Sequence, residues 1–126
     1  MKTAIKIETN EWRSIVHHLY QNGWKVVEKY IGHDASIDID YVVLSKDGTS
    51  VELGWEHMDG GEIKCSEETF NFLENLVKHK FEYGKAEVLN SKMKMFIKPL
   101  SFPTRLVGDK NKLMEDFFYF NSTNKN

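Results

Sequence analysis

The 126-residue chain is poor in several features that mark protein classes, and each shortage excludes something. Its single cysteine, Cys65, cannot form an internal disulfide, which agrees with a reducing compartment. Two prolines and eight glycines are too few for collagen-like or linker-like material. Long apolar runs are missing as well. Stretches without charge or turn residues, such as Tyr41 to Ser45, fall far short of the roughly 20 residues of a membrane span. The opening residues Met1-Lys2-Thr3-Ala4-Ile5-Lys6 return to charge too soon for the apolar region of a signal peptide, so a cytoplasmic location is expected. Cys-x-x-Cys, His-Glu-x-x-His, a phosphate-cradling glycine loop and a nucleophile elbow are all absent, so no catalytic residue and no cofactor are expected.

What is present suffices for one core. Hydrophobic residues make up 40% of the chain and aromatics 13%. The expected organisation is a single α+β domain over residues 1–120 with a polar tail at 121–126. Thr3 to Glu8 alternates and reads as a strand with Ile5 and Ile7 on one side. Thr9-Asn10 offers caps for a helix from Glu11 to Asn22, ended by Gly23. Trp12, Ile15, Val16, Leu19 and Tyr20 give it one apolar face. Trp24 to Ile31 reads as a strand, and Ser36–Ser45 with Thr49–His57 as a hairpin. A short strand over Glu62–Cys65 precedes a helix capped by Ser66, with Phe70, Leu73, Leu76, Val77 and Phe81 inward and Gly84 at its end. Residues 86–98 fit either a strand or a helix. An extended segment is bracketed by Pro99 and Pro103, and Asp109 is placed to cap a final helix. The sum is an antiparallel β-meander with helices packed on one face.

The hairpin admits two registers. A two-residue loop at Asp47-Gly48 pairs Val43 with Glu52 and Ile39 with Glu56. A three-residue loop pairs Val43 with Val51, Tyr41 with Leu53 and Ile39 with Trp55, sorting one apolar face from one charged face. The second register is the one expected.

Although the net charge is only −2, the charges are segregated. Residues 31–70 hold ten acids and two lysines; residues 76–112 hold nine bases and three acids. In the expected register Asp38, Asp40, Glu52 and Glu56 share the outward face, with Asp59 and Glu62 extending it from the next turn. Like charges facing one another weaken a sheet, and no folding requirement puts carboxylates there. The plain reading is a solvated face; the functional one is a docking surface for a basic partner. Only Arg105 in the basic half offers a guanidinium fork, and the total charge is acidic, so nucleic acid is not the expected partner.

Three other groups invite a role. His57, Asp59 and Cys65 could converge as metal ligands in a small enzyme or regulator, although their spacing is unspecific. Cys65 just before a helix could be activated, but Glu62, Glu67 and Glu68 oppose a thiolate there. Phe117-Phe118-Tyr119-Phe120 cannot all be buried on one helical face and could join two copies.

The stretch Tyr41-Val42-Val43-Leu44-Ser45-Lys46-Asp47-Gly48, followed by Val51-Glu52-Leu53-Gly54-Trp55, Gly61-Glu62-Ile63 and a Ser-capped helix, resembles small bacterial immunity proteins. These are the cytoplasmic antidotes of polymorphic or contact-dependent inhibition toxins. The resemblance covers about residues 36–80 and implies a non-enzymatic protein that neutralises a cognate toxin in a tight complex. A nuclease toxin would present a basic cleft, which the acidic face could occlude.

Overall fold

Trp12, Ile15, Val16 and Leu19 line the buried side of α1 (Thr9–Gln21), at the spacing read from the sequence. In this computed structural model, which describes residues 1–31, 38–97, 99 and 101–103, that side lies on an antiparallel sheet. The strands are β1 (Lys2–Ile7), β2 (Lys25–Tyr30), β3 (Ile39–Lys46), β4 (Thr49–Glu56), β5 (Gly60–Cys65), β6 (Glu82–Tyr83) and β7 (Ser101–Pro103). Their order across the sheet is β6-β1-β5-β4-β3-β2-β7. The fold is therefore α+β, with β2 to β5 as a meander and α1 carrying the chain over it from β1 to β2. The expected final helix, the tail at 121–126 and the aromatic run at 117–120 lie outside the described residues.

Local chemistry sets most boundaries. Glu8, rather than Thr9 or Asn10, caps α1: its carboxylate accepts the Glu11 N–H at 3.0 Å. Ser66 caps α2 (Glu67–Val77) as expected, its hydroxyl accepting the Thr69 N–H. α2 stops at Val77 and does not continue to Gly84. Lys78 is left-handed at φ 63°, and Glu74 reaches past the helix end to accept the Phe81 N–H at 3.0 Å and the Tyr83 hydroxyl at 2.8 Å. Those two bonds turn the chain into β6, against β1. In β1 the irregular, positive-φ Lys6 breaks the alternation, so Ala4 and Ile7 enter the core while Ile5 is only half-buried. Of the two readings for residues 86–98, helix holds for α3 (Ser91–Ile97), while residues 84–90 are irregular.

The hairpin register is the other one. Val42 faces Leu53, Val43 faces Glu52 and Ile39 faces Glu56. Asp47 and Gly48 have φ of 51° and 81°, the paired positive values that a two-residue loop with the twist of its strands requires. Consequently Val42 and Leu44 join the core under α1 and α2, with Val26, Val51, Leu53, Ile63 and Phe70. Ile39 and Tyr41 point the other way, into a second cluster with Tyr30, Val88, Leu89 and Ile97. α1 and α2 share one face of the sheet; residues 86–89 and α3 cover part of the opposite one.

Two glycines make this close packing feasible. A Cβ on Gly61 would lie 2.5 Å from Trp12 Cδ1, and one on Gly54 would lie 2.7 Å from Leu89 Cδ2. Gly61 thus lets the α1 indole rest on β5, where Trp12 Nε1 donates to the Glu62 carbonyl at 3.3 Å. Gly54 does the same for Leu89 on the other face.

Candidate functional site

The register disperses the six carboxylates expected on one face. Asp40 faces the α1 side and is 1% exposed, because one residue's slip exchanges every side chain between faces. Its Oδ1 lies 2.6 Å from Lys29 Nζ, itself 4% exposed, and also accepts the Tyr41 N–H at 2.8 Å. Lys29 Nζ donates as well to the Tyr30 carbonyl at 2.9 Å. Glu62 is also 1% exposed, on the opposite face. Its two oxygens accept the N–H groups of Glu87, Val88 and Leu89 at 2.8, 3.0 and 2.9 Å. Neither residue can belong to a docking surface as the molecule stands. Glu52 is half-buried between the Tyr41 hydroxyl at 3.3 Å and Lys94 Nζ at 2.5 Å, holding α3 on the sheet. Burial and the Glu52 charge together push the Tyr41 phenol well above its ordinary pKa.

Asp38, Glu56 and Asp59 do come together, around His57. They occupy the start of β3, the end of β4 and the turn into β5. The His57 N–H donates to the Asp38 carbonyl at 3.0 Å, and its Nδ1 lies 3.0 Å from Glu56 Oε1 and 3.7 Å from Asp38 Oδ1. Glu56 Oε2 accepts the Asp59 N–H at 3.0 Å. Burial raises the cost of charge on Glu56, but hydrogen bonds from Met58 and Asp59 outweigh it and lower its pKa. Asp59 is raised, first by its side-chain hydrogen bond to Glu56, then by burial and the charges of Glu56, Glu87 and Glu62. Near neutrality this rim therefore concentrates negative charge that a cation would relieve.

A raised folded-state pKa contributes stability below the ordinary carboxyl value and loses it as pH rises through the raised one. Asp59→Asn, which stays neutral and keeps a donor toward Glu56, should stabilise the protein at pH 7 by about 0.5 kcal/mol, the scale of exposed charge pairs. At pH 3 the gain should fade. Urea midpoints of both proteins at the two pH values check this, and a gain that persists undiminished at pH 3 contradicts the charge argument.

The structure does not assemble the metal ligands of the alternative reading. His57 and Asp59 lie at the β4–β5 turn, whereas Cys65 ends β5, roughly 20 Å away at strand rise. Cys65 is fully buried, and burial pushes its thiol up to about 12. Among the described residues no cluster of His, Cys, Asp and Glu is arranged to hold a metal ion.

The sequence reading missed the groove at the far end of α2, a cavity of about 510 Å³ lined by Asn71, Glu74, Asn75, Lys78, His79 and Lys80. His79 accounts for its position: Nδ1 meets the Lys80 carbonyl at 3.0 Å and Nε2 bonds Glu11 of α1, and those two bonds raise its pKa. The contact ties the two helices at the surface. Its only sequence signal was the basic run Lys78-His79-Lys80. Among the described residues no helix is long and apolar enough to cross a membrane. No known family, curated protein or solved structure matches the chain.

Proposed function

We propose that the chain is a non-enzymatic binding protein whose acidic rim, Asp38, Glu56 and Asp59 around His57, docks on a basic protein surface. The partner on this reading is a cognate toxin, neutralised in a tight cytoplasmic complex. The carrying observation is the rim itself: three carboxylates from separate elements converge where Asp59 is already raised by its neighbours. A partner lysine or arginine there would meet charge that the fold leaves under-compensated, and the same field would steer its approach. The resemblance of residues 36–80 to toxin-immunity proteins supports the identity of the partner class.

Co-expression with the product of the adjacent reading frame, followed by affinity purification and a growth assay, tests the reading. A neighbour that is toxic alone, and tolerated and co-purified with this protein, supports it; a harmless neighbour with nothing co-purified rejects it. In the complex, Asp38→Lys with Glu56→Lys should slow association about tenfold with a smaller effect on dissociation, because rim charges act mainly on the encounter rate. Unchanged association kinetics would remove the rim from the interface.

A further inference from the structure

At the other end of the β3–β4 hairpin lies a cleft of about 260 Å³ lined by Trp24, Lys46, Asp47, Thr49, Ser66, Glu68, Thr69 and Phe72. It is smaller than the ~300–1,000 Å³ of small-molecule sites, which suits one inserted side chain better than a cofactor. Two of its walls are aromatic. Phe72 on α2 is 47% exposed, and Trp24, half-buried beyond the end of α1, packs against the core and lines the cleft with the rest of its surface.

The polar groups of this cleft divide into those already engaged and those left open. Lys46 Nζ is held by the Asn22 carbonyl at 2.9 Å, beyond the last turn of α1. The Ser66 hydroxyl is engaged by Thr69, whose N–H and Oγ1 lie 3.3 and 3.0 Å from it. Asp47 and Glu68 meet no cation and no hydrogen-bond donor among the described residues. The start of α2 does not turn the cleft into an anion site, because Glu67 and Glu68 place two carboxylates in its first turn. What remains open is the exposed Phe72 ring, the outer surface of Trp24 and two carboxylates, which outnumber the one Lys46 ammonium.

We propose that this cleft receives an arginine side chain of a partner polypeptide, its guanidinium between Trp24 and Phe72 and its donors on Asp47 and Glu68. A flat guanidinium stacks on aromatic faces and offers a fork of donors to carboxylates, whereas a lysine ammonium supplies only a point charge. The cleft is distinct from the acidic rim: the hairpin's length, about 25 Å at strand rise, separates the two. It stands independently of the toxin reading.

The test is a titration of the intact ¹⁵N-labelled protein with a blocked Gly-Arg-Gly peptide, with Gly-Gln-Gly as control. Expected are saturable millimolar shifts of the Trp24 indole N–H and of the amides of Asp47–Thr49 and Glu68–Phe72, from the arginine peptide alone. The double variant Asp47→Asn, Glu68→Gln should weaken binding about tenfold by removing both charges and leaving the rings. It is chosen to keep the fold, since asparagine tolerates the positive φ of residue 47 and Glu68 is exposed. No saturable shift at Trp24, an equal response to the glutamine peptide, or an unweakened double variant would each overturn the proposal. Shifts confined to Asp59 and its neighbours would also overturn it, while leaving the acidic rim as a cation-binding surface.

Discussion

Asp40→Ala should cost about 3–5 kcal/mol of folding stability, the range for breaking a buried ion pair from one side. The loss follows from what stays behind. Lys29 is buried with its ammonium on Asp40 and the Tyr30 carbonyl, and removing the carboxylate takes away its 2.6 Å ion pair inside the core. Against a typical total of roughly 5–15 kcal/mol, this is enough to populate the unfolded chain visibly. Replacing both partners, Lys29→Met with Asp40→Leu, should recover most of the loss, because well-packed apolar groups of similar size avoid the cost of desolvating two ions. Urea unfolding of the two single variants and the double variant reads the coupling directly. A single Asp40 variant within ~0.5 kcal/mol of the parent, the scale of a surface change, would place this pair outside the core's energetics.

Glu62→Leu is the second large effect, expected at about 3 kcal/mol or more. Three backbone N–H groups, of Glu87, Val88 and Leu89, end on that one carboxylate, and each buried donor left unsatisfied costs roughly 1–3 kcal/mol. The damage should be local to one face, because these bonds hold Val88 and Leu89 against Tyr41 and Gly54. Glu62→Gln is the informative intermediate. A glutamine oxygen can still accept from Val88 and Leu89, while its NH₂ group would confront the Glu87 N–H, so about half the loss is expected. Amide exchange at Val88 and Leu89 should accelerate far more than exchange in α1. Equal acceleration in both regions would mean that Glu62 supports the whole fold and not this segment.

Both residues explain what the sequence concealed. The face of α1 was legible because Trp12, Ile15, Val16 and Leu19 repeat at helical spacing with polar residues between them. The hairpin's existence was legible from Asp47-Gly48, but its register was not. Sorting apolar from charged positions assumes a sheet wet on one side, whereas β3 in this one is covered on both. The continuous run Tyr41-Val42-Val43-Leu44 is the mark of a strand buried on both faces, and Asp-Gly is the strongest signal for a two-residue loop. Together those two signals favoured the observed register. Asp40 and Glu62 read as surface acids because their partners, Lys29 and the 87–89 amides, are distant in sequence. Asp38, Glu56 and Asp59 remained together for a different reason: they flank strand ends, where position along the strand matters more than which face a side chain takes.

The strand order also bears on how the chain finds its structure. β2 to β5 are joined by neighbours in sequence, so each pairing closes a short loop, and the β3–β4 turn is already of the tightest kind. β1 must instead locate β5, aligning Lys2 with Cys65, and so closes a far longer loop than any pairing within the meander. The entropy lost in closing a loop grows with its length, which favours early formation of the meander and late docking of β1 with α1. Gly61 stands at that seam, since the Trp12 indole can settle on β5 only as α1 arrives. This late docking thus closes over a residue with no side chain, and any side chain placed there would slow the arrival of α1 as well as strain the finished fold.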